Sequence, residues 1–199
     1  MKKLTYDPLN IVICGIGGQG NVLASKLVGE AALLDGIPAV LSETHGMAQR
    51  GGVVESTAVL GGAFCPTISD GCADILLAFE PLEALRALNK VNTGSVVITS
   101  TSPIKPFNLR GDGSGYPPVD EQLAFLRSHC ARVMALDAKA IALENKNPLG
   151  VNMVLLGALY ASGLMPVSVE AQRRAIEQNT KPAFLQQNLA CFAAGLKVK

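Results

Sequence analysis

A glycine-rich stretch that follows a short apolar run is the first place where residue types and spacing suggest chemistry. Gly15, Gly17 and Gly20 form a G-x-G-x-x-G pattern that also contains Gly18 and Gln19. Glycines there let the backbone approach a phosphate or another segment closely, and the free N–H groups of the helix that follows attract an anion. Two interpretations stay open: an anion-binding turn, and a tight turn that only packs helix on strand.

A second stretch, "SETHGMAQRGG" (residues 42–52), is a polar connection between two apolar runs. Its candidate binding residues are His45, Gln49, Arg50, Gly51 and Gly52. The planar guanidinium of Arg50 suits a carboxylate or a phosphate, and the adjacent glycines let the backbone turn beside it. The alternative is that Arg50 pairs with a carboxylate across a subunit contact.

Two more polar residues complete the predicted cofactor-binding or substrate-edge set. Glu43 ends the second predicted strand, near the position at which an acidic residue binds ribose in dinucleotide folds. Asn152 interrupts an apolar helical stretch, either as a satisfied core amide or as the lip of an interface. No individual residue of the set receives a catalytic role, because no base stands visibly beside a nucleophile.

Metal and cluster motifs are not evident in the sequence. Gly-Asp-Gly at residues 111–113, with Asn145 downstream, resembles the diphosphate and magnesium signature of thiamine enzymes, but no predicted strand precedes it, so we interpret it as a turn. The five cysteines contain no Cys-x-x-Cys pair, so neither a zinc ribbon nor an iron–sulfur site is expected in this chain. Scattered free thiols fit a reducing cytoplasm.

Composition narrows the class of protein. The chain has 199 residues and a net charge of +1, without a basic run and without tryptophan, which argues against nucleic-acid binding. Its longest apolar stretch is shorter than the ~20 residues of a membrane span, and the N-terminus lacks the apolar core of a signal peptide. Apolar residues make up 49% and charged residues 17%, which favours a partner covering part of the surface.

The order of predicted elements indicates a single α/β domain over residues 1–199, with three layers and a Rossmann-like, mostly parallel sheet. Too few residues separate the second and third strands for a helical crossover, so an antiparallel hairpin is expected there. This makes a stand-alone nucleotide-binding dehydrogenase the weaker alternative. The C-terminal part is predicted to be helical, with one helix capped by Asn147 and started by Pro148, and a last helix whose inner face carries Phe184.

Three stretches taken together, "GIGGQGNVLASKLVGEAALLDG", "SETHGMAQRGG" and "NPLGVNMVLLGAL", resemble the gamma subunit or domain of 2-oxoacid:ferredoxin oxidoreductases. The second stretch is most similar to the beta subunit of indolepyruvate ferredoxin oxidoreductase. The resemblance runs in order along nearly the whole chain.

The resemblance implies one subunit of an oxygen-sensitive complex of anaerobic metabolism. Such a complex decarboxylates a 2-oxoacid on thiamine diphosphate with Mg²⁺, passes electrons through iron–sulfur clusters to ferredoxin, and releases an acyl-CoA. The chain by itself is then expected to bind none of these cofactors and to be inactive alone. Partner subunits would carry them, with a homodimer as the alternative state of the isolated chain.

Overall fold

A six-stranded mixed sheet forms the middle layer of the molecule. The computed structural model describes residues 7–45, 52–62, 65–104 and 115–198. The strands are β1 (Leu9–Ile16), β2 (Ala39–His45), β3 (Val53–Leu60), β4 (Ala73–Ala78), β5 (Val91–Ser100) and β6 (Arg132–Leu136). Valine and isoleucine are frequent in these runs, as expected for half-buried or buried strands.

The strand order is β2-β3-β1-β4-β5-β6. β1, β4, β5 and β6 are parallel, whereas β3 pairs antiparallel with both β1 and β2. The predicted hairpin of the second and third strands is therefore confirmed. One feature was not predicted: β3 lies between β1 and β2, so the first two strands of the chain are not neighbours.

Helices cover both faces of the sheet, which confirms the predicted three-layer α/β class. They are α1 (Asn21–Leu34), α2 (Pro81–Arg86), α3 (Val119–His129), α4 (Ala138–Glu144), α5 (Val151–Ala161), α6 (Val169–Asn179) and α7 (Pro182–Gly195), with a short 3₁₀ helix at Leu88–Lys90. Side chains of α1, α4, α5, α6 and α7 share one core, and side chains of α2 and α3 share the other.

Alternation along β1 explains how one strand serves both cores. Ile11 and Ile13 belong to the larger core, whereas Val12 and Cys14 belong to the smaller one. All four are essentially inaccessible to solvent, because β1 is central and covered on both faces.

The predicted start of α5 is wrong by one short turn. The N–H of Gly150 donates to the carbonyl oxygen of Asn147 at 2.8 Å, so residues 147–150 form a separate turn and the helix begins at Val151. The Asn147 side chain donates to Asn188 at 2.8 Å instead of capping α5.

The predicted inner face of α7 is also partly wrong. Phe192 is buried, but Phe184 is 53% exposed in the first turns of the helix. Among the helices that the structure describes, none has the length and apolar character needed to cross a membrane.

Candidate functional site

Most of the predicted site residues that the structure describes lie at one edge of the sheet. The glycine turn (residues 17–20) follows β1, His45 is the last residue of β2, and Gly52 immediately precedes β3. Because β3 runs antiparallel to its neighbours, its start lies beside the ends of β1 and β2. In open α/β sheets, ligands bind outside the carboxyl ends of the parallel strands, which is this edge.

A backbone hydrogen bond joins the two predicted motifs. The N–H of Gly17 donates to the carbonyl oxygen of Gly52 at 2.8 Å. One turn further on, the buried side chain of Asn21 donates to the carbonyl oxygen of Val54 at 3.2 Å. The start of α1 is therefore held against the start of β3, and the glycine turn and the end of the polar loop form one wall.

Gln19 fastens the glycine turn to the neighbouring strand. Its Oε1 accepts from the N–H of Ile16 at 2.7 Å, and its Nε2 donates to the carbonyl oxygen of Phe79, just after β4, at 3.0 Å. Gly15 makes this arrangement possible, since a Cβ there would lie 2.8 Å from the Gln19 Oε1 and 2.9 Å from the Phe79 Cβ. The polar atoms of Gln19 thus position the turn.

Asn152 reaches the glycine turn from the side of α5. Gly20 has a φ of 84°, which favours glycine, and an added Cβ would lie 2.7 Å from the Asn152 Nδ2. The Asn152 Oδ1 accepts from the N–H of Met153 at 2.9 Å, and the side chain is almost completely buried. Asn152 is therefore a buried amide beside the glycine turn, as the first of its two alternatives expects.

Other predicted residues are not brought together with the turn or lie outside the described residues. Glu43 lies in β2, which β3 separates from β1, so it is one strand further from the glycine turn than a ribose-binding acid would be. Gln49, Arg50 and Gly51 fall outside the described residues, as does the 111–113 turn. Of His45, only the backbone position at the end of β2 is described.

A hollow of about 270 Å³ opens at the carboxyl edge beside the glycine turn. Its walls come from the ends of β1, β4 and β5 and from the starts of α4 and α5; they include Gly18, Gln19, Phe79, Ser102, Lys139 and Leu149. α1 begins at this edge without a side-chain cap, so the electropositive start of the helix has no side-chain acceptor there. An apolar hollow beside an open helix start suits a ligand with an anionic end.

Glu80 is a site residue that sequence reasoning missed. It is completely buried directly after β4, and its Oε2 accepts from the N–H groups of Leu82 at 2.8 Å and Glu83 at 3.1 Å. Its Oε1 accepts from the N–H of Ile104 at 3.1 Å and from the hydroxyl of Tyr116. Glutamate is not a preferred N-cap residue, although Pro81 at the first helical position was a usable signal.

The titration of buried groups limits the chemistry available here. Burial raises the pKa of the Cys14 thiol well above its usual value, with a further contribution from nearby Glu83, so this cysteine is not a thiolate nucleophile at neutral pH. Burial also raises the pKa of Tyr116, together with its hydrogen bond to Glu80. In the described part of the chain, no three His, Cys, Asp or Glu side chains are grouped to hold a metal ion.

Comparison with known proteins gives consistent matches over almost the whole chain. A family model described as "Pyruvate ferredoxin/flavodoxin oxidoreductase" matches residues 10–198. The indolepyruvate oxidoreductase subunit IorB of Methanothermobacter thermautotrophicus is 43% identical over 186 residues, covering 94% of this chain and 95% of that protein.

Two solved structures share the fold. The gamma subunit of a keto/oxoacid ferredoxin oxidoreductase from Geobacter sulfurreducens is 26% identical, with a TM-score of 0.69, and the match covers 95% of this chain and 96% of that one. A 2-oxoglutarate:ferredoxin oxidoreductase from Magnetococcus marinus, solved with 2-oxoglutarate, coenzyme A and succinyl-CoA, is 19% identical with a TM-score of 0.74. That match covers 97% of this chain but 31% of the longer one.

Proposed function

The chain belongs to the pyruvate ferredoxin/flavodoxin oxidoreductase family, and from this premise we propose that it is the small subunit of an indolepyruvate-type 2-oxoacid:ferredoxin oxidoreductase. Family membership confirms the resemblance that the glycine and R-G-G motifs predict. The proposed reaction is oxidative decarboxylation of a 2-oxoacid to an acyl-CoA with reduction of ferredoxin. The 43% identity to an indolepyruvate oxidoreductase subunit supports an aryl 2-oxoacid as substrate.

The redox and thiamine chemistry is assigned to partner subunits of a cytoplasmic complex. The sequence has no Cys-x-x-Cys pair, and the described residues offer no cluster of ligands for Mg²⁺. We therefore assign thiamine diphosphate, Mg²⁺ and iron–sulfur clusters to the partner subunits. The contribution of the chain is a preformed wall at the edge of a shared site.

One observation carries this proposal: the hydrogen bond between Gly17 and Gly52, 2.8 Å long. It places the glycine turn and the end of the R-G-G motif on one wall, beside the hollow at the carboxyl edge. The open start of α1 and the ammonium of Lys139 there suit an anionic group such as a phosphate of coenzyme A or a substrate carboxylate. We assign Arg50, which directly precedes the two glycines, to the same anion.

The experiment is steady-state kinetics of the reconstituted complex with Arg50→Ala, with Arg50→Lys as the matched control. Loss of a charge-assisted hydrogen bond to an anion costs about 1.5–3 kcal/mol, which corresponds to roughly 10- to 150-fold in kcat/KM for the ligand that Arg50 contacts. Separate titrations of coenzyme A and of the 2-oxoacid identify that ligand. If Arg50→Ala leaves kcat/KM for coenzyme A, kcat/KM for the 2-oxoacid and the assembly of the complex unchanged, Arg50 does not belong to the site.

A titration of the isolated chain with NADH tests the dehydrogenase alternative. The position of β3 between β1 and β2 disfavours a dinucleotide site, because the ribose-binding strand normally pairs with β1. We expect no saturable fluorescence change. Stoichiometric binding of the nicotinamide would contradict the proposed function.

A further inference from the structure

The most exposed large apolar side chain described lies on a firmly built turn. Leu149 is 86% exposed, although a side chain of its kind is normally covered. The turn that carries it is anchored to α7 through the 2.8 Å hydrogen bond from Asn147 to Asn188. Gly150 is packed so closely that an added Cβ would lie 2.6 Å from both the Asn147 Nδ2 and the Cys191 Sγ.

The residue before the turn, Lys146, has an unusual backbone conformation. Lys146 has a φ of 55°, a left-handed conformation that residues with a side chain seldom adopt. The N–H of Lys146 donates to the carbonyl oxygen of Leu143 at 2.9 Å, and the N–H of Asn147 donates to that of Ala142 at 3.0 Å, so this left-handed residue ends α4. The chain turns sharply there, directly before the turn that carries the exposed Leu149.

Leu149 borders two hollows. One is the hollow of about 270 Å³ beside the glycine turn, where Ile104 is also partly exposed at 38%. The other has a volume of about 460 Å³ and contains Phe184, which is 53% exposed. Leu149 is thus shared by two hollows that also contain the partly exposed Ile104 and Phe184, and we call these three residues the Leu149 surface.

The rim of the Leu149 surface is basic. Lys139 lies in the first hollow, and Lys146 and Lys181 lie in the second. None of these lysines forms a salt bridge with another described residue. No acidic side chain lines either hollow in the described part of the chain, and the nearby carboxylate of Asp137 accepts hydrogen bonds from Ser102 and from the N–H of Ala140.

We propose, on the basis of the proposed function, that the Leu149 surface is the docking site for a larger subunit of the same oxidoreductase. The segment that it binds presents an apolar depression flanked by aspartate or glutamate side chains. An exposed apolar anchor on a rigid turn, surrounded by charges, is typical of the centre and rim of a protein interface. Charge complementarity specifies the partner: Lys146 and Lys181, which are not assigned to the anionic ligand, favour carboxylates on the other side.

The same argument disfavours a second copy of this chain. In a twofold dimer the surface would face itself, and the lysine rim would lie against an identical lysine rim. The larger Magnetococcus chain, of which the match covers 31%, shows that this fold also occurs within a much longer polypeptide. Docking on a larger subunit agrees with that arrangement.

The test measures the affinity of the purified chain for the purified larger subunit by biolayer interferometry, with Leu149→Asp as the disrupting variant. Leu33→Asp is the matched control, because Leu33 is 63% exposed near the end of α1 that lies opposite the carboxyl edge. We expect at least a tenfold higher Kd for Leu149→Asp and less than a twofold change for Leu33→Asp. Both variants should keep the wild-type melting temperature, since both side chains are exposed.

A second variant tests the charge part of the proposal. Lys146→Glu combined with Lys181→Glu should raise the Kd at low salt and flatten its dependence on ionic strength, because the attraction is electrostatic. A Kd that stays at the wild-type value overturns the assignment of carboxylates to the partner. Equal losses for Leu149→Asp and Leu33→Asp, or no loss for Leu149→Asp, overturn the docking site.

Two further outcomes are distinguishable. If the wild-type chain does not bind the larger subunit at all, the proposed function is wrong. This outcome differs from a wrong docking site, for which the wild-type chain still binds. If analytical ultracentrifugation shows a wild-type dimer that Leu149→Asp converts to a monomer, a second copy occupies the surface, and the proposal is wrong.

Discussion

At the residue scale, buried carboxylates and caps determine how the loops meet the sheet. Glu80 uses both of its oxygens to accept four hydrogen bonds from two separate parts of the chain. Asp137 likewise joins two parts of the chain: its Oδ1 accepts from the Ser102 hydroxyl and from the N–H of Ala140, both at 2.9 Å. These two residues hold the chain at the ends of β4 and β6.

Replacement of Glu80 by glutamine should destabilise the chain by about 2–3 kcal/mol, because the amide leaves at least one buried donor without an acceptor. Tyr116→Phe, which removes one of the four hydrogen bonds, should cost about 1 kcal/mol. Urea denaturation followed by circular dichroism measures both. Equal midpoints for Glu80→Gln and the wild type would show that the buried carboxylate does not stabilise the fold.

Asp137 should make stability depend on pH. The N–H of Ala140, followed in size by smaller contributions that include the Ser102 hydroxyl, lowers the pKa of its carboxyl. The stabilisation is therefore present above the unfolded-state pKa of ~3.9 and is lost as pH falls through the lower folded-state pKa. Asp137→Ala should cost about 1 kcal/mol at pH 7 and progressively less in acid.

Asp137→Asn is the matched control for this prediction. The amide oxygen still caps α4, so most of the stability at pH 7 should remain, but this contribution to the acid dependence should disappear. The measurement is the free energy of unfolding at several pH values between 3 and 7. A wild-type acid dependence retained in both variants would contradict the prediction.

At the scale of elements, the contact between α5 and α7 is made by backbone against backbone. An added Cβ at Gly157 would lie 2.2 Å from the Phe192 carbonyl oxygen, and one at Gly195 would lie 2.1 Å from that of Val154. Neither helix can accommodate a side chain at the crossing. The close contact also holds α5, which carries Asn152, in place beside the glycine turn.

Gly157→Ala should destabilise the chain by about 1–3 kcal/mol, because the helices must move apart, although alanine favours a helix by about 1 kcal/mol. Gly29→Ala in α1 is the matched control: the three atoms nearest to its Cβ would all belong to the Leu41 side chain, which is 37% exposed and can move. We expect that control to be neutral or slightly stabilising. Differential scanning calorimetry compares the two, and similar melting temperatures would contradict the backbone contact.

At the scale of the whole molecule, the sequence pattern predicted the mostly parallel sheet, the three layers and the β2–β3 hairpin. These elements were predictable because they depend on local features: apolar runs, glycines at helix ends and the short connection between β2 and β3. The position of β3 between β1 and β2 could not be predicted in this way, because strand order depends on contacts between distant segments. The glycine turn was found by its spacing, but the role of Gln19 as a link to Phe79 has no local signal.

Thiol reactivity tests the packing of the whole chain. Cys14 and Cys191 are buried, whereas Cys65 and Cys72 are exposed. A hydrogen bond from the Thr67 backbone lowers the pKa of Cys65, which favours its reactive thiolate form. We expect Cys65 and Cys72 to react quickly in the native chain, and Cys14 and Cys191 to react only after unfolding, as measured by peptide mass spectrometry. Rapid native labelling of Cys14 would contradict the described core.

The four hydrogen bonds of Glu80 have a practical consequence for engineering. One of its oxygens holds Ile104 and Tyr116, so the chain enters and leaves the intervening sequence from a single fixed position. Where the two ends of a flexible connection are held together, doubling its length costs only about 0.6 kcal/mol in loop-closure entropy. An epitope inserted after Ile104 should therefore leave the sheet unchanged, but it should weaken binding of the larger subunit, because Ile104 belongs to the Leu149 surface.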